Sequence, residues 1–533
     1  MTLEAPEQRL QADVLVIGGG PAGTWAAVTA AREGARVVLV DKGYCGASGV
    51  AATAGVGHWL VPPDGALREE AMRQRARSGG GLTDRDWQAR VLHETWERLG
   101  ELASLGYPQS QDGQGRPVLR IGQAPQYLKF MRDYARRQGV RILDHAPALE
   151  LLTGGAEVRG ARGYRLQSGD FYEVRSGAVV LASGGCTWKS KSLGGDVNTG
   201  DGHLMAAELG AELSGMEFSS FYGIVPKSTT MDKNGYYGFA TFTREDGSVV
   251  EGALFSSRLP LLQASLQGPL YAQFDRAPRD KWQTMRAAMP NFFMVMDKLR
   301  CDPFTQRFAI DFVLEGTVRG TGGVRLVDEA CATGVPGLYA AGDVASREIV
   351  VGGATGAGAP NAAWAVASGI WSGRAATHHA RSSKGGAGAL GRGSGQLGLR
   401  PSGSGSEPQA WRELLKAVQN EILPIEKNAL RSRPGLERSL IALQTLYLDA
   451  RAHLHGSGRD LVRARETASM LMMARWAYES ALARNESRGM HARIDYPRTD
   501  PLQQHRIVCR GLEHIRTSVD SVRPRPAEGW LAA

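Results

Sequence analysis

Cysteine is scarce in this chain of 533 residues: there are five, Cys45, Cys186, Cys301, Cys331 and Cys509, and no two are spaced as CxxC. That scatter gives no disulfide framework, no zinc site and no internal iron–sulfur cluster. It suits a reducing compartment, and a cytoplasmic location is expected. Long apolar runs are missing as well: none reaches the roughly 18 residues that a membrane helix needs. The first ten residues are polar and charged, without the pattern of a secretory signal. Lysine is rare, with 11 residues against 52 arginines, and the formal net charge is +9. The arginines are spread along the chain with no dense basic run, so no nucleic-acid partner is expected.

Glycine, in contrast, is plentiful, with 68 residues. The length allows two or three domains around a sizeable core. Residues 13–17 form a short apolar β pattern, 18–23 a glycine turn, 21–33 an alanine-rich helical pattern, and 35–40 a second β pattern that ends in Asp41. Strand, turn, helix and strand within about thirty residues make the minimal βαβ unit. In VLVIGGGPAG the spacing is GxGxxG. Gly18 permits the tight turn, Gly20 lets a diphosphate approach the backbone, and Gly23 allows close helix–strand packing. Pro21 suits the first helical position, and Ala22 follows it where free N–H groups and the helix dipole favour an anion. Asp41 is placed to accept hydrogen bonds from ribose hydroxyls. The ligand is therefore a dinucleotide, NAD or FAD.

The segment GLYAAGDVA favours FAD. A strand over 337–343 ends in Gly342 and Asp343, an acid suited to the ribityl chain, and GGATGAGAPNAA then opens a helix toward the flavin. Gly356 and Gly358 lack the following strand and acid of an NAD site. From about 217 to 316 the glycine signature gives way to short strands and aromatic residues, the pattern of an inserted lid. Residues 382–407 are dominated by Gly and Ser and read as a flexible linker. Helical periodicity follows over 411–421, 435–455 and 461–484.

Four blocks then resemble the succinate dehydrogenase, fumarate reductase, L-aspartate oxidase and adenylylsulfate reductase flavoprotein family. They are IGGGPAG with DKGYCGASGVAATAGVG, ASGGC with NTGDGHLMAAELGAELSGMEF, GTGGVRLVDEA with VPGLYAAGDVA, and ARNESRGMHARIDYP. The resemblance implies an α/β fold: a Rossmann-type FAD-binding domain over 1–218 and 317–381, an inserted α+β capping domain over 219–316, the linker over 382–407 and a C-terminal helical domain over 408–533. By motif position it adds Lys42, Ser48, Gly49, Gly55, Ala182, Gly184, Asp201, Pro360, Asn361 and Ala362 to the cofactor contacts. It implies hydride exchange at flavin N5 with a small substrate.

Departures from the family pattern narrow the function. The histidine that carries covalent FAD in the succinate and fumarate branch is matched by Ser48, so non-covalent FAD is expected. Two further histidines are matched by Tyr222 and by the Val318–Arg319 pair. A substrate arginine falls at Gly356, and the proton-donating arginine of the cap falls near Ala253. Those groups bind carboxylates or move protons, and their loss argues against C4 dicarboxylates. The reading is a stand-alone FAD-dependent oxidoreductase acting on another small polar organic substrate. The alternative is the flavoprotein subunit of an electron-transfer complex with an iron–sulfur partner, as in adenylylsulfate reductase. Tyr222, Arg319 and His58 are the candidate catalytic groups, the last because a histidine titrates near neutral pH. No metal site is expected. Arg488, His491 and Arg493 read as an interdomain cluster.

Overall fold

The computed structural model describes residues 8–53, 57–108, 124–254, 258–355, 359–383, 390–403 and 410–521. The βαβ unit forms as the sequence pattern predicts: strand β1 is Val14–Ile17, helix α1 is Pro21–Arg32 and strand β2 is Val37–Val40. They belong to a five-stranded parallel sheet ordered Leu338–Ala340, Ala178–Leu181, β1, β2, Arg141–Leu143. Every residue of β1 and β2 is buried. That explains their unbroken Val/Leu/Ile composition, since a parallel sheet is covered on both faces. The helix Ala359–Ser382 packs along α1. A methyl group on Gly369 would fall 2.4 Å from the Ala22 carbonyl oxygen, and one on Gly373 2.4 Å from that of Ala26. The two helices therefore touch backbone to backbone.

The inserted segment folds around a four-stranded antiparallel sheet, ordered Tyr222–Pro226, Phe308–Leu314, Leu270–Gln273, Thr241–Arg244. Its core is aromatic, with Tyr237, Phe242, Phe274, Phe292, Phe293 and Phe308 buried together. Burying each such ring contributes roughly 1.5–3 kcal/mol, enough for the cap to hold its own core. The first and last strands of the insertion along the chain, Tyr222–Pro226 and Phe308–Leu314, lie side by side, so the cap is tied to the rest through one adjacent pair.

Two expectations change. Residues 382–407 are not a free linker over their described part. The helix runs on to Ser382, Gly391–Arg392 pairs with the strand Ala148–Gly154, Leu397 and Leu399 are buried, and Arg400 Nη2 donates to Glu150 Oε2 at 2.6 Å. The two leucines and Arg400 anchor a segment whose composition alone looks unattached. The C-terminal region, expected to be helical, has the helices Ala410–Ile422, Arg433–His453 and Arg459–Ala483, but then adds the hairpin His505–Arg510 and Arg516–Ser521. The first of these strands pairs with Leu213–Ser214 and so joins the C-terminal region to the FAD-binding region. Among the described residues no helix is long and apolar enough to cross a membrane.

Candidate functional site

A long cleft opens where the strands of the parallel sheet end. It holds about 1390 Å3 of empty space, its solvent-open part included. Its floor is the turn after β1. Gly18 has φ +111°, a conformation that side chains resist, and a methyl there would fall 2.2 Å from the Ala182 carbonyl oxygen. A methyl on Gly20 would meet nothing within 4 Å. The turn is thus bare on its cleft side, above the first N–H groups of α1. Asp41 closes the turn from the next strand. Its Oδ2 accepts from the Gly19 N–H at 2.6 Å, and its Oδ1 accepts from the Gly43 N–H and the Ser48 hydroxyl, both at 2.8 Å.

Most of the cofactor residues expected from sequence line this cleft: Gly18, Gly20, Pro21, Ala22, Asp41, Lys42, Ser48, Gly49, Ala182, Gly184, Asp201, Gly342, Asp343, Asn361 and Ala362. Gly23 and Pro360 are not among the lining residues. Gly23 packs under the turn, where a methyl would fall 1.8 Å from the Gly18 carbonyl oxygen. Pro360 is buried in the first turn of its helix. Gly55, Gly356 and Gly358 lie outside the described residues. Lys42 reaches across the cleft wall, with Nζ 2.5 Å from Asp201, 2.6 Å from the Thr199 hydroxyl and 3.1 Å from Glu466 of the helical region. Burial acts to lower its pKa, yet Asp201 and Glu466 outweigh that and raise it.

Two residues not assigned from the sequence, Ser183 and Asn198, also face the cleft, beside the expected Asn361. Ser183 Oγ, Asn198 Oδ1 and Asn361 Oδ1 are buried with no hydrogen-bond partner in the described residues, and all three side chains line the cleft. Orphaned polar atoms in a dry groove are costly unless a ligand satisfies them. The bare turn, the helix end and these orphans fit a flavin dinucleotide. Ser183 and Asn198 stand inside the quoted ASGG and NTGDG blocks, so the signal was present but not assigned.

At the far end the cleft meets the cap. Arg319 and Lys233 line it there. Arg347 is fully buried and shapes this end: it pairs with Asp343 at 3.0 Å and donates to the carbonyls of Thr317 and Val318 at 2.8 and 2.7 Å. The loop bearing Arg319 is thereby pinned to the acid expected at the ribityl chain. Burial raises the Asp343 pKa, and Arg347 opposes it.

Two of the three catalytic candidates sit elsewhere. Tyr222 is buried away from the cleft, its hydroxyl donating to the Leu423 carbonyl at 2.8 Å, and burial pushes its phenol above the ordinary value. The adjacent helical region captures it. His58 is not a lining residue. Its ring lies edge-on to Tyr127 at 6.2 Å, both ring nitrogens lack a partner in the described residues, and burial lowers its pKa to about 4. It stays neutral at pH 7 instead of titrating there. Arg319 alone of the three faces the cleft. The expected position near Ala253 falls at the edge of the cap core; the nearby cap guanidinium of Arg258 is buried behind Arg319 and is not itself a lining residue of the cleft. It donates to the Tyr222 carbonyl and lies 4.1 Å from the centre of the Phe221 ring, which Arg319 flanks at 5.9 Å.

Residues 13–240 match the FAD binding domain family, and residues 425–522 match the fumarate reductase flavoprotein C-terminal family. The L-aspartate oxidase of Mycobacterium leprae is 26% identical over 548 residues, covering 95% of this chain and 97% of that protein. The fumarate reductase flavoprotein subunit of Escherichia coli K12 is also 26% identical, over 92% of this chain and 89% of its own length. Among solved structures, a variant of the Escherichia coli quinol fumarate reductase flavoprotein superposes with a TM-score of 0.81 at 21% identity, covering 98% of this chain and 99% of that one. Adenylylsulfate reductase of Archaeoglobus fulgidus superposes with a TM-score of 0.75 at 17% identity, over 98% and 97% of the two chains.

Proposed function

Since the chain belongs to the flavoprotein family of succinate dehydrogenase, fumarate reductase and L-aspartate oxidase and is an FAD-dependent oxidoreductase, we propose that it oxidises or reduces a small polar organic substrate other than succinate or fumarate, held between the cofactor cleft and the cap. One observation carries this reading: the cleft runs without a break from the bare turn at Gly18–Gly20 to Lys233 and Arg319 at the cap. When bound, FAD supplies hydride exchange at N5, and the protein supplies position, charge and a proton.

The chain's own groups then divide the work. The turn and the start of α1 take the diphosphate. Asp343, braced by Arg347, faces the ribityl chain. Ser48 donates to Asp41 and offers no imidazole for a covalent bond, so the flavin is held non-covalently. Arg319 orients substrate. Arg258 is the proton carrier on the cap side: burial lowers its pKa to about 10, with Glu315 opposing, which makes proton release less costly than from a solvated guanidinium. Serine, tyrosine and valine stand where the dicarboxylate enzymes carry histidine, and this supports a different substrate.

Anaerobic screening of the yellow protein against candidate metabolites tests the proposal. Bleaching of the flavin band by a metabolite other than succinate is expected, together with release of all flavin on acid precipitation. A flavin that only succinate or fumarate addresses, or one that stays attached after acid, would refute it. The fold shared with adenylylsulfate reductase supports the second reading, a subunit passing electrons to an iron–sulfur partner. Co-purification with a cysteine-cluster protein would favour that reading.

A further inference from the structure

Where the cap joins the cofactor region, four charged side chains and one serine form a chain. Lys233 Nζ lies 2.8 Å from Asp232 Oδ2, 2.6 Å from Glu315 Oε2 and 3.3 Å from the Ser192 hydroxyl. These three contacts use the three protons of the ammonium group. Ser192 donates to Asp232 Oδ2 at 2.6 Å. Glu315 Oε2 also lies 3.3 Å from Arg319 Nε. Side-chain exposure is 0% for Asp232, 1% for Glu315 and 5% for Lys233, but 20% for Arg319. The chain is sealed at the cap end and most open at Arg319, with Lys233 also lining the cleft. No hydrogen bond within the described residues engages Arg319 Nη1 or Nη2, and the residue lines the cleft.

Within the chain Lys233 and Arg319 balance Asp232 and Glu315, and the buried Arg258, within electrostatic reach of Glu315, Arg319 and Asp232, adds a third positive charge. Buried charge needs compensation, so the group has a formal excess of one positive charge, presented at the guanidinium edge facing the cleft. A carboxylate matches that edge with two parallel hydrogen bonds.

Resting on the functional reading above, we propose that the substrate carries a single carboxylate received by Arg319, and that Glu315, held by Lys233, is the positioning residue that presents this guanidinium. Ser192 belongs to the cofactor region, and Asp232 and Lys233 to the cap, so the receptor is aligned only when the two regions sit together as they do here. Lys233 is not a proton donor in this scheme, since its three protons are already shared out.

The test is a titration of the flavin-loaded protein with propionate, propionamide and succinate, read as a perturbation of the flavin absorption spectrum and needing no turnover. Propionate is expected to bind, propionamide not at all, and succinate no tighter than propionate. Arg319→Gln should weaken propionate about tenfold or more through loss of the charged hydrogen bonds. Glu315→Gln should weaken it roughly tenfold by letting the guanidinium turn. Lys233→Met alone strands two buried carboxylates, so it is paired with Asp232→Asn; that double variant should retain flavin yet bind propionate more weakly. Glu315→Asp should recover part of the loss. Equal binding of propionate and propionamide, no binding of either, tighter binding of succinate by tenfold, or an unchanged propionate affinity in Arg319→Gln would each overturn the proposal. A failed metabolite screen with an intact propionate response would leave this site standing and remove only the oxidoreductase substrate reading.

Discussion

Two buried charge networks flank this protein's cleft, and they are built on opposite plans. The one between the cofactor region and the helical region is closed on its cationic side: the guanidinium groups of Arg484, Arg488 and Arg493 are all engaged, while Glu217 Oε2 keeps no partner in the described residues. Arg484 is buried with Glu217 at 2.8 Å and Glu486 at 2.9 Å, and it also donates to the carbonyls of Gln503 and His505. Arg488 makes two bonds to Glu486 at 2.6 and 3.0 Å, and Arg493 makes two to Asp495, both at 2.8 Å. His491 has its pKa lowered well below the ordinary value by burial and then by Arg431 and Arg484. Being neutral, it accepts from Arg431 on Nδ1 at 2.8 Å and so carries its proton on Nε2, toward the Arg484 carbonyl. The network at the cap, in contrast, leaves one guanidinium edge unspent. A closed network fixes domains; an open one waits for a ligand.

The largest loss is expected from Arg484→Met, which strands the buried Glu217 carboxylate and leaves Glu486 to Arg488 alone. A stability loss of about 3–5 kcal/mol is expected in chemical denaturation. A loss below 1 kcal/mol would mean that the network does not hold the domains. Next comes Glu348, beside Glu217. Burial, then the Glu217 charge, raises its pKa from 4.5 to about 7, against the pull of Arg506 and Arg484, and its Oε2 has no partner in the described residues. Between those two pH values the folded chain keeps a proton that the unfolded chain has released, so stability falls as pH rises through that window. Glu348→Gln should flatten that part of the stability–pH curve, and an unaltered curve would count against the shift. Arg319→Gln should change stability by no more than about 0.5 kcal/mol while weakening substrate-dependent flavin reduction about tenfold; the reverse pattern would place Arg319 in the closed class. The smallest effect belongs to Tyr222→Phe, which loses one hydrogen bond to a carbonyl worth about 1 kcal/mol and leaves flavin reduction unchanged. Slowed reduction would return Tyr222 to the cleft.

The dinucleotide half of the site is legible in the sequence because its chemistry is backbone chemistry. A turn without side chains, a helix start and a strand-end acid must be contiguous, and Gly18, Gly20 and Asp41 show that contiguity within one βαβ unit. The substrate half depends on residues far apart in the chain, such as Ser192, Lys233, Arg258, Glu315 and Arg319. Only the fold brings them together, and motif matching pointed to Tyr222, which the helical region captures, and to Ala253, which packs at the edge of the cap core. Leu397, Leu399 and the hairpin from His505 escaped for another reason. A few anchoring side chains decide their packing, while the surrounding Gly, Ser and Arg carry no periodic signal.

The contact between α1 and the helix Ala359–Ser382 has a consequence for tolerance to change. Gly369 and Gly373 set how far the two axes stand apart, and α1 begins at the turn that faces the dinucleotide. A bulkier residue at either position would lever the front of α1 out of line from well outside the cleft. Such a variant would be a cofactor-affinity defect mapped to a buried helix seam, and a repacking substitution at Ala22 or Ala26 would not relieve it, because the obstacle is main-chain oxygen.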